Sequence, residues 1–123
     1  MKNRSSFSLR ARRRSFVYAG DGLRRFFRQE HNAWIHASAT LLVTGLAWLL
    51  PVTPIEAAVL VIAAGIVWVA EIINTAVERT MDFISAEKRP EIKYIKDLSA
   101  AAVLVASLAA VIAAALIFLP KLL

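Results

Sequence analysis

Glu71, Asn74, Thr75, Glu78 and Asp82 fall at i, i+3, i+4, i+7 and i+11, a spacing that sets all five on one face of a single helix. Three carboxyls and an amide then form a stripe on an otherwise apolar segment. Glu71 and Asn74 are bracketed by Ala70, Ile72 and Ile73. Ionisable side chains at membrane depth are costly and mark functional sites by default, whereas a plain headgroup position suits Asp82 and Glu78. Glu30 precedes an uncharged run and Lys96-Asp97 opens another, so these groups share one membrane boundary with Glu78. Carboxylates beside a lysine suit a magnesium and phosphate site, since Mg²⁺ is usually bound by one or two carboxylates together with substrate phosphates. His31 and His36 lack metal-ligand spacing and read as packing or headgroup residues. Neither a phosphate-binding Gly-x-x-x-x-Gly-Lys-Ser/Thr loop nor the protein-kinase motifs occur. The stripe alone leaves an enzyme, a proton pathway and a pore-forming or structural oligomer all open, although a pore gives no reason for Glu71, Asn74 and Glu78 to align.

The elements that position the stripe follow from the charges. Residues 31–55 and 98–120 contain no Lys, Arg, Asp or Glu, and neither do residues 57–70. About 20 helical residues cross a hydrocarbon core of roughly 30 Å. Three spans are predicted, over about 33–50, 55–84 and 92–119. Nine of the 15 Lys and Arg lie in residues 1–30 and five in 79–96, while the turn Pro51-Val52-Thr53-Pro54 has none. Basic loops stay cytoplasmic, which puts the N-terminus and the 79–96 segment in the cytoplasm and the C-terminus across the membrane. The 123 residues are 59% hydrophobic with mean hydropathy +0.60, above the roughly 45–50% of an ordinary soluble domain. Without cysteine, disulfide scaffolds and thiolate-bound zinc are excluded.

Residues 1–14 read as a basic cytoplasmic tail and 15–123 as one domain. No apolar core appears in the first 30 residues, which argues against a secretory signal. Phe16, Ala19, Leu23, Phe26 and Phe27 follow helical spacing, with Arg24, Arg25 and Arg28 towards the other side. An amphipathic helix over about 15–30 would lie on the membrane surface. Membrane anchoring accounts for Arg12, Arg13 and Arg14, so no nucleic-acid partner is expected. Alanines at 102, 106, 109, 110, 113 and 114 would let helices approach closely in lipid, and with so little interior in three helices a homo-oligomer is expected.

The run Glu71-Ile72-Ile73-Asn74-Thr75-Ala76-Val77-Glu78, then Asp82, then Lys96-Asp97, resembles the signature of the prokaryotic diacylglycerol kinase family. The similarity extends upstream through Ser15-Phe16, Tyr18-Ala19, Gly22-Leu23 and Glu30 and covers about residues 15–118. It implies an all-α integral membrane protein, a homotrimer of three-span subunits with a surface helix, which moves the γ-phosphate of ATP to a lipid alcohol. By the same resemblance Glu71 matches the base that takes the lipid hydroxyl's proton, and Glu30 and Glu78 match the carboxylates holding Mg²⁺ under the nucleotide. Asn74 matches an amide beside the reacting groups. Tyr18, Glu87, Lys96 and Asp97 match ATP contacts.

Three departures stand out. Glu87-Lys88-Arg89 replaces a common Glu-Tyr-His, Ala11 aligns with a family arginine, and Ser99 replaces a glycine after the Lys-Asp pair, which makes Ser99 a candidate substrate-orienting residue. Glu30-His31-Asn32-Ala33-Trp34-Ile35-His36 and Ile73-Asn74-Thr75-Ala76 resemble the branch of the family that phosphorylates undecaprenol, which is favoured over diacylglycerol as acceptor. The expected location is the cytoplasmic (inner) membrane of a prokaryote.

Overall fold

The structure is a computed structural model that describes residues 6–123. Those residues form four helices and no strand: α1 (Leu9–Gln29), α2 (His31–Leu49), α3 (Pro54–Ile84) and α4 (Pro90–Leu122). The chain divides into two compact units, residues 1–34 and 35–123.

In the first unit, α1 starts six residues before the expected surface helix. Ser8 supplies the reason, because its side chain accepts a hydrogen bond from the Ala11 N–H and caps the helix. The arginines that follow are good helix formers, so much of the basic tail is helical. Phe16 is 80% exposed and Leu23 is open as well, which leaves most of the apolar side of α1 uncovered by the chain. The helix ends at Glu30, whose backbone is extended and whose N–H still reaches the Phe26 carbonyl. Trp34 braces this corner. Its indole N–H donates to the Phe27 carbonyl at 2.9 Å, and the two rings meet edge to face at 6.0 Å.

In the second unit, α3 and α4 pack as an antiparallel hairpin. A capping box starts α3: the Thr53 side chain accepts from the Glu56 N–H while the Glu56 carboxylate accepts from the Thr53 N–H, with Pro54 in the first turn. Glu56 also pairs with Lys121 near the end of α4, at 3.1 Å. At the other end of the hairpin Lys96 pairs with Asp82. Leu60, Ile117 and Phe118 form the buried cluster, against which Val43, Leu46 and Ala47 of α2 pack. Thr53→Ala removes one half of the box and is expected to destabilise the fold by about 1 kcal/mol, read as an earlier thermal unfolding midpoint in detergent.

Helices α3 and α4 are long and apolar enough to cross a membrane. At 31 and 33 residues they run to about 46 and 50 Å, longer than the roughly 30 Å hydrocarbon core, so their ends project into the headgroups or water. Their apolar side chains point outward: Val61, Val69, Val105, Val111 and Leu116 are all exposed. In water such surface would drive aggregation, whereas in lipid it faces its natural solvent. Helix α2 forms where the first span is expected but does not reach the same apolarity, because His31, Asn32, His36, Thr40 and Thr44 interrupt its 19 residues.

Candidate active site

Helix α3 carries the acidic stripe, and burial along it is graded. Glu71 is 2% exposed and Asn74 is 6% exposed. Glu78, one turn further, is half-buried, and Asp82 is exposed. The helix therefore buries one carboxyl and one amide, with two more carboxyls stepping outward towards its C-terminal end.

Burying a carboxyl without a partner is expensive, and α2 supplies the partner. His36 Nε2 lies 3.2 Å from Glu71 Oε2. An ionised carboxylate can only accept, so Nε2 is the nitrogen that bears the hydrogen in that state. The turn holding His36 is itself tied down. The Trp68 indole N–H donates to Thr40 Oγ1 at 3.0 Å, and the Thr40 hydroxyl donates to the His36 carbonyl at 2.8 Å. The Trp68 and His36 rings meet edge to face at 6.0 Å. Further along α2, the Thr44 hydroxyl donates to the Thr40 carbonyl at 2.7 Å. His36 and Thr40, four residues apart, both meet α3, whereas Thr44 is exposed and bonds within its own helix.

Asn74 differs from its neighbours. Its Oδ1 is buried and, among the described residues, accepts no hydrogen bond. Buried polar atoms in native proteins are nearly always paired, and one left over points to a ligand, ion or water.

The remaining candidates are placed as follows. Lys96 is half-buried and held by Asp82. Asp97 is exposed and pairs with Lys93 on its own helix. Glu87 is exposed, in the link between α3 and α4, and pairs with Arg89 at 3.2 Å. Ser99 lines an open, largely apolar groove of about 550 Å³ together with Ile66, Val69, Ala70 and Ile73, level with the turn that carries Glu71. Tyr18, on α1, and Glu30, at its C-cap, belong to the first unit.

No three His, Asp or Glu side chains converge into a metal cage among the described residues. A magnesium ion does not need one, because nucleotide phosphates and water complete its shell. The Glu78 carboxylate, one helical turn from the unpaired Asn74 oxygen, offers the hard oxygen donors this ion prefers, so the residues present fit it.

Sequence reading gave His36 no part in this centre, and Trp68 and Thr40 were not singled out. The signal for His36 and Thr40 is their i, i+4 spacing within a run without charges.

A helical membrane hairpin carrying a buried carboxylate, an unpaired amide oxygen and a ladder of outward carboxyls defines the class. The sequence model of the prokaryotic diacylglycerol kinase family matches residues 17–118, and the chain belongs to that family. It is therefore a lipid kinase, a phosphotransferase with an alcohol acceptor. Among curated proteins it is 38% identical to the undecaprenol kinase of Bacillus subtilis (strain 168), over 89% of each chain. It is also 37% identical to the diacylglycerol kinase of Synechocystis sp. (strain ATCC 27184 / PCC 6803 / Kazusa), where the alignment covers 89% of this chain and 63% of the relative.

Proposed function

We propose that the chain transfers the γ-phosphate of ATP to the hydroxyl of a membrane lipid alcohol, undecaprenol ahead of diacylglycerol. The acting form is a homotrimer of three-span subunits in the cytoplasmic membrane of a prokaryote. The observation that carries this reading is a carboxylate 2% exposed on an apolar helix, one turn from a buried amide oxygen with no protein donor. A solvated headgroup stripe would not need either feature.

Glu71 is the general base in this reading. The lipid hydroxyl's proton passes to its carboxylate as the alcohol oxygen bonds to the γ-phosphorus. The bond from that phosphorus to the β,γ-bridging oxygen breaks, and ADP leaves. Catalysis of this kind is mostly positioning and charge neutralisation. Glu30 and Glu78 would hold Mg²⁺, which supplies positive charge to the β- and γ-phosphate oxygens. Lys96 adds a cation on exchanging Asp82 for a phosphate, and Asn74 offers its free oxygen to the acceptor hydroxyl. Tyr18, Glu87 and Asp97 contact the nucleotide, and Ser99 orients the lipid from the groove beside Ala70 and Ile73.

The uncovered apolar side of α1 suits a helix lying on the bilayer, with its arginines at anionic headgroups. Helix α2 serves as the first of the three spans, with His36 and Thr40 turned to α3. The basic residues at the N-terminus and between α3 and α4 support a cytoplasmic position for both. Undecaprenol is favoured by residues 30–36 and 73–76, and by the alignment to the undecaprenol kinase, which covers nearly all of both chains.

The test is purified protein in mixed micelles with ATP and Mg²⁺, offered undecaprenol and diacylglycerol side by side. The expected outcome is acceptor-dependent ADP release with the higher kcat/KM for undecaprenol. A higher value for diacylglycerol reverses the lipid assignment, and no acceptor-dependent release rejects the kinase reading.

A further inference from the structure

We infer that His36 is the positioning residue of Glu71, fixing which carboxylate oxygen receives the substrate proton; this rests on the reading of Glu71 as the general base. Among the described residues, His36 is the hydrogen-bond partner of the Glu71 side chain, at 3.2 Å. The bond engages Oε2 and leaves Oε1 for the acceptor hydroxyl. A glutamate carboxylate otherwise turns broadly about its last torsion, so without the imidazole neither oxygen has a fixed direction. A base must sit within about 2.6–3.2 Å of the proton it removes, and a carboxylate free to rotate meets that condition only part of the time.

The imidazole is suited to the task because it is held on several sides. Its ring edge abuts Trp68, and its backbone carbonyl accepts from Thr40, which in turn accepts from Trp68. Trp68 and Glu71 are three residues apart on α3, one turn of the same helix. The ring and the carboxylate it steers are thus referred to a common frame, and α2 cannot shift without breaking the Trp68–Thr40 bond. His36 is 17% exposed on its side chain against 3% for Glu71, so the ring is the more open of the two. A role confined to helix packing would require only that some polar pair join α2 to α3. The orienting role requires an N–H at the place of Nε2.

That difference sets the experiment. His36→Gln carries an amide N–H close to the Nε2 position, whereas His36→Asn is equally polar but its amide stops near Nδ1. Both are compared with the unsubstituted chain and with Glu71→Gln, using ATP with Mg²⁺ and the better acceptor of the assay above. His36→Asn is expected to lower kcat by about 10- to 100-fold, the loss that misplacement on the order of 1 Å brings, with KM for ATP and lipid within about 2-fold. His36→Gln is expected to recover most of that kcat. Equal losses in the two variants, a loss confined to KM, or turnover by His36→Asn within about 2-fold of wild type each overturn the inference. Glu71→Gln separates the two readings: if it keeps wild-type turnover the base assignment itself fails, and if it is inactive while His36→Asn is not, only the role of His36 is lost.

Discussion

Glu71→Gln is expected to lower kcat by on the order of 10²- to 10⁴-fold, the usual contribution of a positioned general base, while leaving KM for ATP within about 2-fold. The substitution is nearly isosteric. It removes the charge and the ability to take a proton, and it keeps an oxygen that His36 Nε2–H can still donate to. Thermal stability in detergent should hold or rise slightly, because a buried carboxylate is replaced by a neutral amide. Single-turnover phosphoryl transfer together with ATP binding to the same preparation checks both halves. Turnover at the wild-type rate by folded protein would remove Glu71 from the chemistry.

Glu78→Gln addresses the metal side of the same helix. Its carboxylate sits one turn outward from Asn74 and two from Glu71, at the step where burial gives way to solvent. The expected result is a fall in turnover on the order of 10²-fold, together with a displaced dependence on Mg²⁺ concentration, because a lost anionic ligand lowers metal affinity while phosphates and the remaining carboxylate still bind. Titrating MgCl₂ at fixed ATP distinguishes the case: partial rescue at high Mg²⁺ supports ligation, and a loss that no Mg²⁺ concentration changes contradicts it. Glu71→Gln should show no such rescue, which keeps the two carboxylates' roles apart.

Much of this arrangement is readable from residue order. The stripe at 71, 74, 75, 78 and 82 requires only helical periodicity, and the structure sets all five on α3 with burial greatest at Glu71 and Asn74. The turn at 51–54 and the break near 85–89 follow from proline and from the change in polarity. Helix starts are less legible. Ser8 is an N-cap lying in what looked like a charged tail, and α1 begins there instead of near Ser15. The pairing of His36 with Glu71 is a contact across 35 residues, and no local pattern specifies which face of α2 meets α3. A lone histidine in apolar sequence is compatible with many environments. Thr40, one turn further along α2, shares its side of the helix, but that spacing names no partner on α3.

The α3–α4 hairpin is fastened by an ion pair near each end, Lys96 with Asp82 and Lys121 with Glu56, and much of what lies between is smooth, small and apolar. Alanine-lined surfaces by themselves permit sliding. Two charge pairs about seven helical turns apart along the hairpin act instead like a vernier: moving one helix along the other by a single turn, about 5.4 Å, would break both at once. The relative height of Ser99 and the turn bearing Glu71 is therefore set from the two rims of the hairpin, and at the Glu56–Lys121 rim by residues that need never touch the reactants.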